Sequence, residues 1–186
     1  MNKTILSTLL VGCMALSQAH AADYQIDHKG AHASINFKVK HLGYSWLTGR
    51  FNTFNGNFSY DKDNVEASKI KVNIDTASVD SNHAERDKHL RNDDFLDVSK
   101  FSTASFVSTK VEDLGNDKLK ITGVLTLQGI EKELVIDAEK IGEGEDPWGG
   151  YRAGFAGTTK IAMKDFGYKM DFGDIIFDLH IEGIRQ

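Results

Sequence analysis

The chain is poor in several things that would have defined its chemistry. Among 186 residues it has one cysteine, Cys13, and one proline, Pro147. The one mostly apolar run, residues 5–16, is too short to span a bilayer as a helix. It follows Lys3 and precedes the small-x-small sequence "AHA" at 19–21, so residues 1–21 read as a secretory signal peptide cut after Ala21. Such a cut removes Cys13, which leaves no disulfide and no thiol nucleophile. The alternative is a lipoprotein box, "LVGC" at 10–13, that would make Cys13 the lipid-bearing first residue. The expectation is a periplasmic protein of one domain, residues 22–186.

Positive charge is also scarce. After the cut, 21 basic residues face 27 acidic ones. That balance argues against nucleic acid and against an anionic membrane surface. There is no serine elbow. The glycine-rich "GEGEDPWGGYRAG" around Pro147 has no lysine-serine phosphate pattern and no following helix, so it is not a nucleotide loop. The carboxylates are dispersed, without the isolated pair that glycoside hydrolysis uses.

What the sequence has in quantity is alternation. In "SINFKVKHL" Ile35, Phe37 and Val39 alternate with polar residues. In "KIKVNID" Ile70, Val72 and Ile74 do so, and in "DIIFDLHIEG" Ile175, Phe177, Leu179 and Ile181. A period of two marks strands with one apolar and one wet face. Further strand patterns lie at 49–60, 103–111, 118–127, 132–141 and 151–163. Tight connections are expected at Gly115-Asn116-Asp117 and Gln128-Gly129-Ile130. This gives an all-β chain of eight antiparallel strands with one helical interruption between the third and fourth. Eight such strands can form a sandwich, or a barrel able to hold one small ligand. Eleven phenylalanines and seventeen glycines suit an apolar lining and a bent wall; Gly123 and Gly157 fall inside strand patterns. The inward candidates, on the apolar phase of their strands, are Phe37, Val39, Val72, Ile74, Phe106, Leu125, Ile136, Phe155, Phe177 and Leu179.

The helical interruption, "SNHAERDKHLRNDDFLDVSKF" at 81–101, is the densest charged stretch. Asn82 followed by Glu85 reads as an N-cap with its capping-box partner. His83 with Asp87, and Glu85 with His89, are four apart and share a face. Either pair offers two metal ligands, short of the three or four that zinc takes. A His-Asp pair could also orient a base. The third reading is scaffold: Arg86, Asp87 and His89 tie the crossover to the barrel while Leu90, Phe95 and Leu96 pack inward. His41, Tyr44 and Trp46 sit at the turn after the first strand, as rim or gate. Trp148 and Tyr151 read as hairpin-loop or lid residues.

The segments "HASINFKVKHLGYSWLTGRF", "IDTASVDSNHAERDKHLRNDDFLDVSKF", "ITGVLTLQGIEKEL" and "EDPWGGYRAGF" together resemble the YceI-like polyisoprenoid-binding family. The pieces run in the family order across essentially the whole mature chain; Ser102 stands where the family commonly has proline. The resemblance implies a lipocalin-like eight-stranded barrel. Its elongated apolar cavity would take a polyisoprenoid lipid, a quinone or prenyl precursor, with no cofactor, no metal and no catalysis. Tyr44, Trp46, Arg86, Asp87, His89 and Trp148 are then candidates for the rim or the head group, and transient membrane contact is expected of a carrier. The competing readings are an enzyme acting on such a lipid through His83, Asp87 or His89, and a stress-related protein that binds lipid incidentally. No motif encodes chain length, donor, acceptor or oligomeric state.

Overall fold

The computed structural model describes residues 21–186, so the expected signal peptide up to residue 20, the alternative lipoprotein box and Cys13 lie outside the described residues. The chain forms a closed antiparallel barrel of eight staves. Five staves are single strands: β7 (Thr103–Gly115), β8 (Lys118–Leu127), β9 (Ile130–Glu145), β10 (Tyr151–Ala162) and β11 (Asp174–Arg185). The other three are each broken in two: β1 (Ala22–Ile26) with β2 (Ser34–His41), β3 (Ser45–Phe51) with β4 (Phe54–Tyr60), and β5 (Lys69–Asp75) with β6 (Val79–Asp80). Closure is made by β11, which pairs along one edge with both β1 (Arg185 opposite Tyr24) and β2 (Ile175 opposite Val39).

Eight staves match the pattern read from the sequence, and the breaks correct its details. The 49–60 stretch is two strands, turning at Asn52 and Thr53, and its first half begins earlier, at Ser45. The strand β1 gave no usable alternation in five residues. The one α-helix, α1 (Ala84–Leu90), does lie between the third and fourth staves. Its N-cap is His83 rather than Asn82: the His83 ring Nδ1 accepts the Arg86 amide at 3.2 Å. Asn82 sits one residue earlier in left-handed backbone, φ +61°.

The inner face explains why the chain needs so much phenylalanine and glycine. The Phe37 ring lies over Gly49, its partner across the β2–β3 pair, with an atom 2.3 Å from where a Cβ would stand. Phe106 covers Gly123 in the same way, at 2.4 Å, where the β7–β8 register is bulged. Glycine leaves each ring room to fold flat against the wall instead of projecting across the lumen. Volume that would otherwise be filled by side chains is thereby kept open.

Candidate ligand-binding cavity

The barrel encloses a cavity of about 810 Å³ with predominantly apolar walls, within the range of specific small-molecule sites. One end, the mouth, is built by the β2–β3 turn, α1 and the β10–β11 connection. Leu42, Trp46, Arg86, His89, Met170 and Phe172 line it. At the far end the lumen meets a packed aromatic cluster. Tyr24 stacks on Phe58 at 4.9 Å, and Phe155 sets its edge against Phe58 at 5.5 Å and Tyr60 at 5.3 Å. Such pairs stabilise by about 0.5–1.5 kcal/mol each beyond their buried area.

All ten inward candidates line this cavity. They do so because a closed sheet gives every strand one interior phase. The sequence reading missed the second group of wall residues. Leu47, Met163, Tyr168, Met170 and Phe172 come from the hairpin and the β10–β11 connection, where no strand alternation announces an inner face, whereas Leu90, Phe95 and Leu96 of the crossover line it as expected. Loss of solvent raises the Tyr168 phenol well above its ordinary pKa.

The six rim candidates separate. Trp46, Arg86 and His89 line the mouth. Tyr44 stands at the hairpin tip, 87% exposed, and does not line the cavity. Trp148 is at the opposite end of the barrel, in the β9–β10 loop, with the Arg152 guanidinium 5.6 Å from its ring. That loop is closed by Asp146, which accepts the amides of Trp148 (2.9 Å) and Gly150 (2.8 Å) and the Arg152 Nε (2.9 Å). It therefore cannot act as a lid over the mouth. Asp87 is buried and turned away from the lumen; its Oδ1 accepts the Ser81 amide at 2.8 Å and the Ser81 hydroxyl.

The charged crossover is organised as scaffold. Arg86 donates from Nε to the Ser81 hydroxyl at 2.8 Å and from Nη2 to the Ser81 carbonyl. His83 serves the helix cap and makes no contact with the Asp87 carboxylate. His89 meets Asp94 at 3.2 Å, rather than Glu85, and sets its ring edge-on to Phe95. Arg91, unmarked in the sequence reading, fixes the crossover to the barrel by donating to the carbonyls of Ala77 and Val79, both at 2.7 Å.

Among the described residues, one group brings three potential metal ligands together: Asp27, His32 and Glu182. It lies outside the lumen and is already served by a cation. Arg152 Nη1 donates to Asp27 at 2.7 Å and Glu182 at 2.5 Å, while His32 Nδ1 is 3.0 Å from Asp27. The bonds from His32 and Arg152 hold the Asp27 carboxyl far below its usual range, against the opposing effect of its burial. Lys140, on the inner phase at the far end, is pulled down by burial, but its bonds with Tyr60 and Glu143 outweigh this and leave its pKa raised.

A closed eight-stave barrel around an apolar lumen, with its charged helix spent on structure, places the molecule in the lipocalin-like class. The chain belongs to the YceI family, whose YceI-like domain it matches over residues 24–182. It is 58% identical to a UPF0312 protein of Shewanella sp. strain ANA-3 over the full length of both chains. Its structure is similar to that of the Campylobacter jejuni YCEI protein: TM-score 0.73, 32% identity, 80% of this chain and 91% of that one. It also shares its fold with a polyisoprenoid binding domain from Saccharophagus degradans: TM-score 0.66, 14% identity, 90% of this chain and 100% of that one.

Proposed function

We propose that this protein binds a polyisoprenoid lipid, a quinone or its prenyl precursor, inside the barrel and carries or stores it in the periplasm without chemical turnover. The observation that carries the reading is the apolar cavity of about 810 Å³ running from an exposed mouth to a closed aromatic end. The family and the polyisoprenoid binding domain that shares the fold support it. The side chains an enzyme reading would recruit, His83, Asp87 and His89, are engaged in the cap, the Ser81 contact and the Asp94 contact.

Energetics define the kind of carrier. Burial gains about 0.8 kcal/mol per CH₂ relative to water, so the true competitor for a prenyl tail is the bilayer, which buries it equally well. Exchange with vesicles then has a free energy near zero and needs neither ATP nor metal. The test is mass spectrometry of lipid co-extracted with protein purified from its native envelope. A prenyl lipid recovered unaltered, near one per chain, is expected. A small polar ligand, or a chemically altered lipid whose formation depends on His83 or His89, would overturn the reading.

A further inference from the structure

The 33 residues from His28 to Tyr60 contain no carboxylate side chain, in a chain with 27 acidic residues. They do contain Lys29, Lys38, Lys40 and Arg50. The acidic net charge thus conceals a segment of the opposite sign, and the β2–β3 hairpin at the cavity mouth lies inside it. Lys38 and Lys40 form no ion pair among the described residues; Lys38 sits 5.3 Å from the centre of the Trp46 ring. The carboxylates on neighbouring strands are engaged elsewhere: Asp174 with Lys160 at 2.9 Å, Asp178 with His180 at 3.4 Å, and Asp80 with Asn52 at 3.1 Å.

The tip of this hairpin departs from ordinary turn chemistry. Tyr44 donates its amide to the His41 carbonyl at 2.9 Å, and the two residues between have φ +50° (Leu42) and +83° (Gly43). A two-residue turn of this kind favours Asn-Gly, because Asn tolerates left-handed backbone far better than a larger apolar residue. Leu42 meets that strain with its side chain 65% exposed, so packing does not explain it. Tyr44 beside it is 87% exposed, Trp46 49% and Met170, across the mouth, 41%. Leu42, Trp46 and Met170 also line the cavity, so one apolar surface runs from the lumen to the outside.

We infer that the β2–β3 hairpin is a membrane-docking element that sets the cavity mouth on an anionic bilayer. This rests on the lipid-carrier reading above. Apolar residues at a tip, aromatic rings with a polar edge behind them, and lysines behind those match the layers of a bilayer interface. A second copy of the chain fits less well, since a two-fold pairing through the tip would oppose Lys38 and Lys40 to themselves. Docked this way, the mouth opens towards acyl chains, and a prenyl tail passes between lumen and membrane without crossing water.

The experiment is flotation of the purified mature chain with phosphatidylcholine vesicles, with and without phosphatidylglycerol. Prenyl-lipid loading is measured separately in detergent solution. Binding to the anionic vesicles is expected, weakening as salt rises. Lys38→Gln and Lys40→Gln should each lower partition about fivefold. Tyr44→Ser, outside the cavity wall, should weaken vesicle binding and leave loading intact. Leu42→Asn should raise the melting temperature by about 1–3 °C while lowering vesicle binding, a pairing that no purely structural role of Leu42 predicts. Partition unchanged by all four substitutions, or equal on neutral and anionic vesicles, would overturn the inference. So would self-association lost in Tyr44→Ser without any vesicle binding, which would assign the tip to a second copy. Hairpin-dependent vesicle binding by a chain that takes up no prenyl lipid would leave docking standing and sink the carrier reading alone.

Discussion

The two ends of the lumen are built differently. At the far end the lumen is closed by packed and paired groups: Arg152 serves three carboxylates, and Tyr24, Phe58 and Tyr60 are buried, while Leu114, Ile141 and Trp148 on the outer side of that end are exposed. At the mouth, Lys38 and Lys40 form no ion pair among the described residues, Lys38 standing instead over the Trp46 ring, and Leu42, Trp46 and Met170, which also line the cavity, are exposed. Even the turns differ. The β7–β8 turn at the far end puts Asn116 and Asp117 at positive φ, as turn chemistry favours, whereas the β2–β3 turn puts Leu42 there. The far end closes the lumen with a packed aromatic cluster, while the mouth turn holds an apolar residue in left-handed backbone that no packing repays, and such a local departure is the expected signature of a working site.

The comparison breaks first if the far end proves dispensable. Phe58→Ala should cost about 3–5 kcal/mol in denaturant unfolding, since it removes a ring from a filled cluster; a cost under about 1 kcal/mol would mean that this end is not the structural anchor. Next, Arg152→Ala removes the guanidinium shared by Asp27, Asp146 and Glu182 and leaves the buried Asp27 with only His32 and the Gly30 amide, at about 3 kcal/mol. Asp87→Ala, which leaves the Ser81 amide without its acceptor, should cost about 1–3 kcal/mol by the same assay and leave lipid loading unchanged. The reverse outcome, native stability without ligand, would move Asp87 to the head group.

Acid sharpens the contrast. The Asp27 carboxyl is depressed in the folded state, so its contribution is fully present above the unfolded pKa of about 3.9 and is lost as pH falls below it towards the folded value. Unfolding midpoints measured from pH 6 down to the acid limit should drop below about pH 4, and less steeply in Arg152→Ala. Smallest of all, Asn116→Leu should destabilise by about 1 kcal/mol, importing the strain of the mouth turn to an end that has no use for it.

The fold was legible because a half-wet sheet writes its inner face into every second residue. Phe37, Phe106 and Phe177 could be placed inward without knowing any partner strand. What register alone decides was not legible. That Phe37 lies over Gly49 depends on β2 pairing with β3, and the Asp27–Arg152 contact joins residues 125 apart in sequence. His83 in place of Asn82 as the cap is a one-residue shift that any polar cluster permits. Trp148 was misplaced because an aromatic in a glycine-rich loop looks the same at either end of a barrel. The absence of carboxylates from the segment that carries the β2–β3 hairpin was hidden by reasoning from the net charge of the whole chain.

The seam at β11 sets an order on folding. From β7 to β11 each strand pairs with the next one in sequence, so these hairpins form through short loops. The ring itself closes only when the first stave, β1 with β2, meets β11, with Gln186 donating its amide to Asp23 at 2.9 Å across nearly the full length of the described chain. Loop entropy makes that contact the most expensive to reach and puts it last. Pulsed hydrogen exchange during refolding should find the β8 amides protected while those shared by β1 and β11 still exchange. Until that final stitch the nascent protein is an open curved sheet with its greasy interior bare, and its vulnerability to proteases and to self-adhesion is concentrated in that interval.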